Sequence, residues 1–191
     1  MKTTIISLAI LTGISTATVV QAADHTITMG YAQSKVQDFT NIQGVNAKYR
    51  YEWDSPVTLI TSFTYLSGNK DSHYSDEWQE SNHNAEAKYY SLAVGPAYRI
   101  NDVVSLYGLV GVNYSKVSYN THWKSSGGNS DTGIENNSGS SNSTNLMYGA
   151  GVQINPWNNL TIDVGYEGST INDGYDDYSV NGFNVGIGYR F

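Results

Sequence analysis

The last eleven residues read NGFNVGIGYRF, and large apolar side chains recur at every second position: Phe183, Val185, Ile187, Tyr189 and Phe191. Between them stand Gly182, Asn184, Gly186, Gly188 and Arg190. A period of two belongs to a β-strand with one greasy face, because successive side chains of an extended chain point to opposite sides. The same pattern recurs upstream. Ile27, Met29 and Tyr31 share one face of TITMGYA, and Val45, Ala47, Tyr49, Tyr51 and Trp53 one face of VNAKYRYEW. Val57, Leu59, Phe63 and Tyr65 align next, then Tyr90, Leu92, Val94, Tyr98 and Ile100. Val104, Leu106, Val110, Val112 and Tyr114 follow, then Leu146, Tyr148, Ala150, Val152 and Ile154, and finally Leu160, Ile162, Val164 and Tyr166. With the terminal segment, eight strands are predicted.

The gaps between strands alternate in length. Three are tight, at Asp54-Ser55-Pro56, at Asn101-Asp102 and from Pro156 to Asn159, all built of turn-forming residues. Four are long, at 33–44, 67–87, 117–143 and 169–179. An up-and-down barrel with short periplasmic turns and long external loops has this layout. Pro96 falls inside a predicted strand, where a bulge is the expected accommodation.

The chemistry of the two faces decides what surrounds the barrel. A soluble barrel or sandwich hides its apolar set, yet a small barrel has no room inside for eight rows of large side chains. The opposite set, rich in Gly, Ser, Thr and Asn, does fit. The apolar face is therefore placed against lipid, giving an all-β, eight-stranded antiparallel up-and-down transmembrane β-barrel whose closed ladder leaves no backbone group unpaired in hydrocarbon. Tyr31, Trp53, Tyr65, Tyr114, Trp157, Tyr166 and Tyr189 sit near strand ends, as interfacial girdles require.

The N-terminus supports an envelope destination. Lys2 precedes the apolar run IISLAILTGISTATVV and then QAAD, with Val20 and Ala22 at the positions before a cut. Residues 1–22 read as a signal peptide and 23–191 as the mature barrel; a membrane anchor is disfavoured because the apolar run is short. The 191 residues include no cysteine, which removes disulfides and thiolate metal sites. A formal charge of −7 argues against nucleic acid as a partner.

That charge is unevenly placed. The long gaps hold eleven acids against three bases, Lys35, Lys70 and Lys124, while strands and turns are balanced. Several strand charges fall in the inward set: Lys48, Arg50, Glu52, Arg99, Asp163, Glu167 and Arg190. Buried charges need partners, so a paired network across the lumen is expected in preference to a proton or ion path.

GYAQS at 30–34, KYRYE at 48–52, SFTY at 62–65, GPAYRIND at 95–102, YGAGVQINP at 148–156 and the terminal GIGYRF resemble the Ail/Lom family of enterobacterial outer-membrane proteins, which includes OmpX-, PagC- and Rck-like barrels. The resemblance covers the strands and turns in order and fades in the four long gaps. It implies a Gram-negative outer-membrane location with external loops, contact with outer-membrane lipid and lipopolysaccharide, and a monomer without cofactor. It also implies that Tyr189 and Phe191 belong to the signal read by the outer-membrane assembly machinery.

For function, the resemblance implies adhesion to host cells or matrix, complement resistance, or both, with host matrix or complement-regulatory proteins as partners. Loop aromatics are the candidate contacts, since binding energy concentrates on such rings: Phe39, Tyr74, Trp78, Tyr119, Trp123 and Tyr175. Each has a simpler alternative, packing within its own loop or resting at the lipid interface. The acidic loops oppose a heparin-like polyanion unless the three loop lysines cluster. The competing reading is a general OmpX-like envelope barrel with no dedicated ligand. An enzyme is not expected: His25, His73, His83 and His122 have serine and carboxylate neighbours by chance in such loops, and no ligand spacing marks a metal site. A pore is disfavoured too, because side chains fill an eight-stranded bore.

Overall fold

The computed structural model describes residues 24–37, 41–76, 79–125, 134–172 and 177–191; the side chains of 71–83 and 120–137 lie outside that description. The signal peptide expected at 1–22 also lies outside it. Eight strands follow in chain order: β1 (Asp24–Val36), β2 (Asn41–Glu52), β3 (Val57–Asp76), β4 (Gln79–Arg99), β5 (Val104–Ser125), β6 (Ile134–Trp157), β7 (Leu160–Asn172) and β8 (Asp177–Arg190). Each pairs antiparallel with the next, and β8 returns to β1, closing the barrel.

Every apolar row recognised in the sequence faces outward. Leu92, Val110 and Ile187 are each more than 60% exposed, which only lipid makes tolerable over so much surface. Rings bound this belt at both ends. On the outer side, Tyr65 and Tyr90 lie 4.9 Å apart and Tyr90 and Tyr114 6.5 Å, centroid to centroid. On the other side, His25, Tyr51, Trp53, Tyr189 and Phe191 form a second ring, with contacts from 5.3 to 6.2 Å. Tyr90 and Tyr98 of β4 stand at the two ends. Eight residues at roughly 3.4 Å each, tilted by roughly 40°, bracket roughly 20 Å of hydrocarbon.

The short turns are held locally. Asn101 Oδ1 accepts from the Val103 and Val104 amides at 2.9 and 2.7 Å. The last turn is tighter than expected, because β6 runs through Pro156 and Trp157 with a bulge between Ile154 and Trp157, leaving Asn158 and Asn159 as the turn.

Pro96 corrects one expectation. It makes no bulge: the β4–β5 ladder drops out at Gly95 and Pro96 and resumes at Ala97 in unchanged register, while β3 pairs with Pro96 normally. The missing N–H falls on the β5 side, and skipping a rung disturbs the sheet less than inserting a residue. The backbones crowd here, since a Cβ on Gly95 would lie 1.8 Å from the Gly108 carbonyl oxygen.

The long gaps are the larger difference. All described residues of 67–87 and of 117–143 are strand. β3 to β6 therefore rise as one four-stranded sheet past the shorter β1, β2, β7 and β8. These segments carry no strict apolar alternation in the sequence, and hairpin partners supply their hydrogen bonds. The β2–β3 ladder stops at Gln43–Ser67 and the β6–β7 ladder at Met147–Ser169. Among the described residues the projecting sheet thus has two edges without a ladder partner, 68–76 on β3 and 134–146 on β6.

The lumen is also less polar than the small-and-polar expectation. Ile60, Ala93, Ala97, Tyr107, Leu109 and Met147 form one buried cluster. A second, toward the projecting side, gathers Ile42, Leu66, Tyr89, Ile171, Val180 and smaller residues. Large side chains fit because neighbouring strands offer Gly and Ala opposite them.

Candidate functional site

β2 sets the interior charge pattern. Its inward face carries Asn46, Lys48, Arg50 and Glu52 at every second residue, all buried. Glu52 gathers guanidinium groups from three strands: Arg50 at 3.5 Å, Arg190 of β8 at 3.3 Å, and Arg99 of β4. Arg190 also reaches Asp24 at 2.5 Å, and Thr26 donates to Glu52 at 3.2 Å. Arg50 donates further to Thr58 Oγ1 at 2.8 Å and to Gln153 Oε1 at 3.2 Å.

Lys48 occupies the next level. Its ammonium lies 2.5 Å from Asp163 Oδ1, 2.5 Å from Asn184 Oδ1 and 2.7 Å from Asn46 Oδ1, so all three protons have acceptors. Tyr107 donates to the same Asp163 oxygen at 3.1 Å and sets its ring under the ammonium at 5.5 Å. Glu167 has neutral donors: Thr64 at 2.7 Å, Ser91 at 3.2 Å and Asn46 at 3.4 Å. It joins Lys48 through Asn46 and not by a direct ion pair, since Lys48 is already saturated. The seven inward charges thus fall into two contact groups, Arg50, Glu52, Arg99 and Arg190 near the β1 start and Lys48, Asp163 and Glu167 in mid-bore. Sequence reasoning missed Asn46, Tyr107, Gln153 and Asn184, although each stands at inward parity on its strand.

Tyr189 and Phe191 face outward beside one another, with centroids 6.2 Å apart. Phe191 stacks on His25 at 5.6 Å, and the two residues exchange backbone hydrogen bonds of 2.8 and 2.9 Å. Of the candidate loop contacts, Tyr119 is exposed, with its ring lying across Gly139, its cross-strand partner on β6. Tyr74 and Trp123 share a single cross-strand row through Ser81. Phe39, Trp78 and Tyr175 lie outside the described residues. Lys35, Lys70 and Lys124 sit on β1, β3 and β5, separated by β2 and β4. Lys88 and Lys116 do face one another across β4 and β5, just beyond the Tyr90–Tyr114 ring, with Glu86 3.0 Å from Lys88.

A closed eight-stranded barrel with an apolar belt between two aromatic rings is a transmembrane barrel of the bacterial outer membrane. The chain belongs to the enterobacterial Ail/Lom protein family, whose sequence model matches residues 1–191. It is 47% identical over 201 residues to the virulence membrane protein PagC of Salmonella typhimurium, covering 100% of both chains. It is 39% identical to outer membrane protein X of Enterobacter cloacae, over 97% of this chain and 95% of that one. Among solved structures, Ail, the attachment invasion locus protein of Yersinia pestis, in complex with the heparin analogue sucrose octasulfate, matches with a TM-score of 0.67 and 34% identity, over 90% of this chain and 100% of that one.

Proposed function

We propose that the protein is a surface interaction factor that mediates adhesion to host cells or matrix, resistance to complement, or both, through the sheet projecting from β3 to β6. The observation that carries this reading is that sheet, which stands above the outer aromatic ring with no ladder partner on either edge among the described residues. Free edges accept an extended partner segment by strand addition, with neighbouring side chains supplying selectivity. Relatives named for virulence and for attachment and invasion support it. The lumen is filled by two apolar clusters and a charge network, which suits a rigid support and not a conduit. The reading is non-enzymatic, and orientation follows the family: the projecting sheet faces outward from the cell, with the tight turns in the periplasm.

The test expresses the protein in bacteria that do not adhere and measures binding to fibronectin, laminin and cultured epithelial cells, with serum survival alongside. A variant shortened across 125–145 loses that β6 edge while keeping the barrel. Loss of binding or survival in that variant supports the proposal. No gain from the full protein, with surface assembly verified, overturns it in favour of an envelope role, the reading that similarity to outer membrane protein X supports.

A further inference from the structure

Where β6 parts from β7, a cleft of about 640 Å³ opens between β6 and the β7–β8 pair. Its walls are Thr144, Leu146 and Tyr148 on one side and Thr170, Ser179 and Asn181 on the other, with Asn145 and Ser169 at its base. We propose that this cleft binds an uncharged saccharide.

The cleft is one-sided. Beyond the parting point, on the lumen side, side chains replace the lost ladder: Asn113 and Asn145 both donate to the Thr170 carbonyl, at 2.9 and 3.0 Å. Ser143 Oγ accepts from the Asn172 amide at 3.0 Å, and Ser169 donates to the Leu146 carbonyl at 3.1 Å. The lumen is thereby closed off, and the floor groups are already satisfied.

The outer wall is built. Tyr148, Gly168 and Asn181 form one row across β6, β7 and β8. A Cβ on Gly168 would fall 2.5 Å from the Tyr148 ring, so the glycine lets that ring lie over β7. At the other end of the row, the Tyr166 hydroxyl donates to Asn181 Oδ1 at 2.7 Å, which fixes the amide and leaves its NH₂ as a donor. Tyr148 and Leu146 remain 58% and 81% exposed.

The chemistry of this wall selects the ligand class. It offers hydroxyls, a carboxamide donor, one aromatic face and one aliphatic face, and no charged residue. A phosphate, sulfate or carboxylate finds no cation there. An acyl chain would bury the hydroxyls and the amide without partners, at a cost of about 1–3 kcal/mol each. A saccharide satisfies both demands, because it carries donors and acceptors on its rim and C–H groups on its ring faces. The volume falls within the range of small-molecule sites, roughly 300–1,000 Å³. The cleft stands one row beyond Tyr166, within reach of a glycolipid headgroup in the same leaflet and of a soluble glycan.

The test places the full barrel in phospholipid nanodiscs and follows backbone amide resonances. One arm titrates lacto-N-tetraose, a neutral soluble tetrasaccharide; the other incorporates diglucosyl-diacylglycerol in the disc. Saturable shifts centred on Tyr148, Gly168 and Asn181 are expected in at least one arm, and which arm responds identifies the source. Tyr148→Ala, Asn181→Leu and Gly168→Val should each weaken binding at least tenfold, while Tyr148→Phe retains it. Resonances of β1 to β4 verify that each variant is folded. No saturable shift in either arm, or shifts unchanged by all three substitutions, overturns the proposal. So does a response at these residues to a neutral extended peptide alone, which would make the cleft a strand-docking site.

Discussion

Lys48 Nζ and Asp163 Oδ1 meet at 2.5 Å in mid-bore, tying β2 to β7 across the lumen with only 1% of either side chain exposed. Removing one partner strands the other charge where water does not reach. Lys48→Met or Asp163→Leu should each cost about 3–5 kcal/mol, and the double variant less than either. Urea unfolding in lipid vesicles measures all three.

Gly95 and Gly108 offer a matched pair. A Cβ on Gly95 would collide with the Gly108 carbonyl at 1.8 Å, at the rung already weakened by Pro96, whereas one on Gly108 meets nothing within 4 Å. Gly95→Val should fail to form a heat-modifiable folded band on gels. Gly108→Ala should fold with stability within about 0.5 kcal/mol of the parent.

The filled lumen bears on conductance. Tyr89, Ile42, Leu66 and Ile171 block the outer half, and Tyr107, Ile60 and Met147 block the centre. Planar bilayers should show no discrete, stable steps. Tyr89→Ala alone should stay silent as well, because the second cluster remains.

Phe191 separates two roles by two readouts. Loss of its ring contacts with His25 and Tyr189 should reduce stability by about 0.5–1.5 kcal/mol per pair in purified, refolded protein. If the residue is also part of the assembly address, Phe191→Ala should lower the outer-membrane level in cells far more than that loss explains. Equal effects would assign it a structural role alone.

The loop lysines lie on separate strands among acidic neighbours, so heparin should bind weakly at physiological salt. Its binding should respond chiefly to Lys88 and Lys116, the one facing pair of cations among the described residues. Retention on a heparin column with and without Lys88→Gln and Lys116→Gln checks this. Tight binding unaffected by both substitutions would contradict it.

Much of the barrel was legible because lipid demands a simple code. Leu92, Val94 and Tyr98 alternate with Ser91, Ala93 and Ala97, and one glance at that parity orients β4. The same parity marked Lys48, Asp163 and Arg190 as interior. It put Tyr89 and Tyr107 at inward positions without showing that side chains so large would fit, because that depends on what distant strands leave vacant. Nor did it show that Glu167 would be held by hydroxyls, a matter of which partners Lys48 had already taken. The projecting sheet was invisible for a different reason. Segments such as IENNSGSSNSTN carry no apolar alternation, and their extended form follows from hairpin pairing with β5.

The ion pair between Asp24 and Arg190 joins residues 166 positions apart, the first strand to the last. No part of the seam exists until the final residues have been delivered. A nascent chain lacking them would carry two raw edges into hydrocarbon, so membrane entry cannot proceed strand by strand as synthesis does. The whole chain must cross the periplasm unfolded and close late, and contacts this distant make closure slow. The connectivity thus makes barrel closure the last step of assembly, whatever partner the finished surface meets.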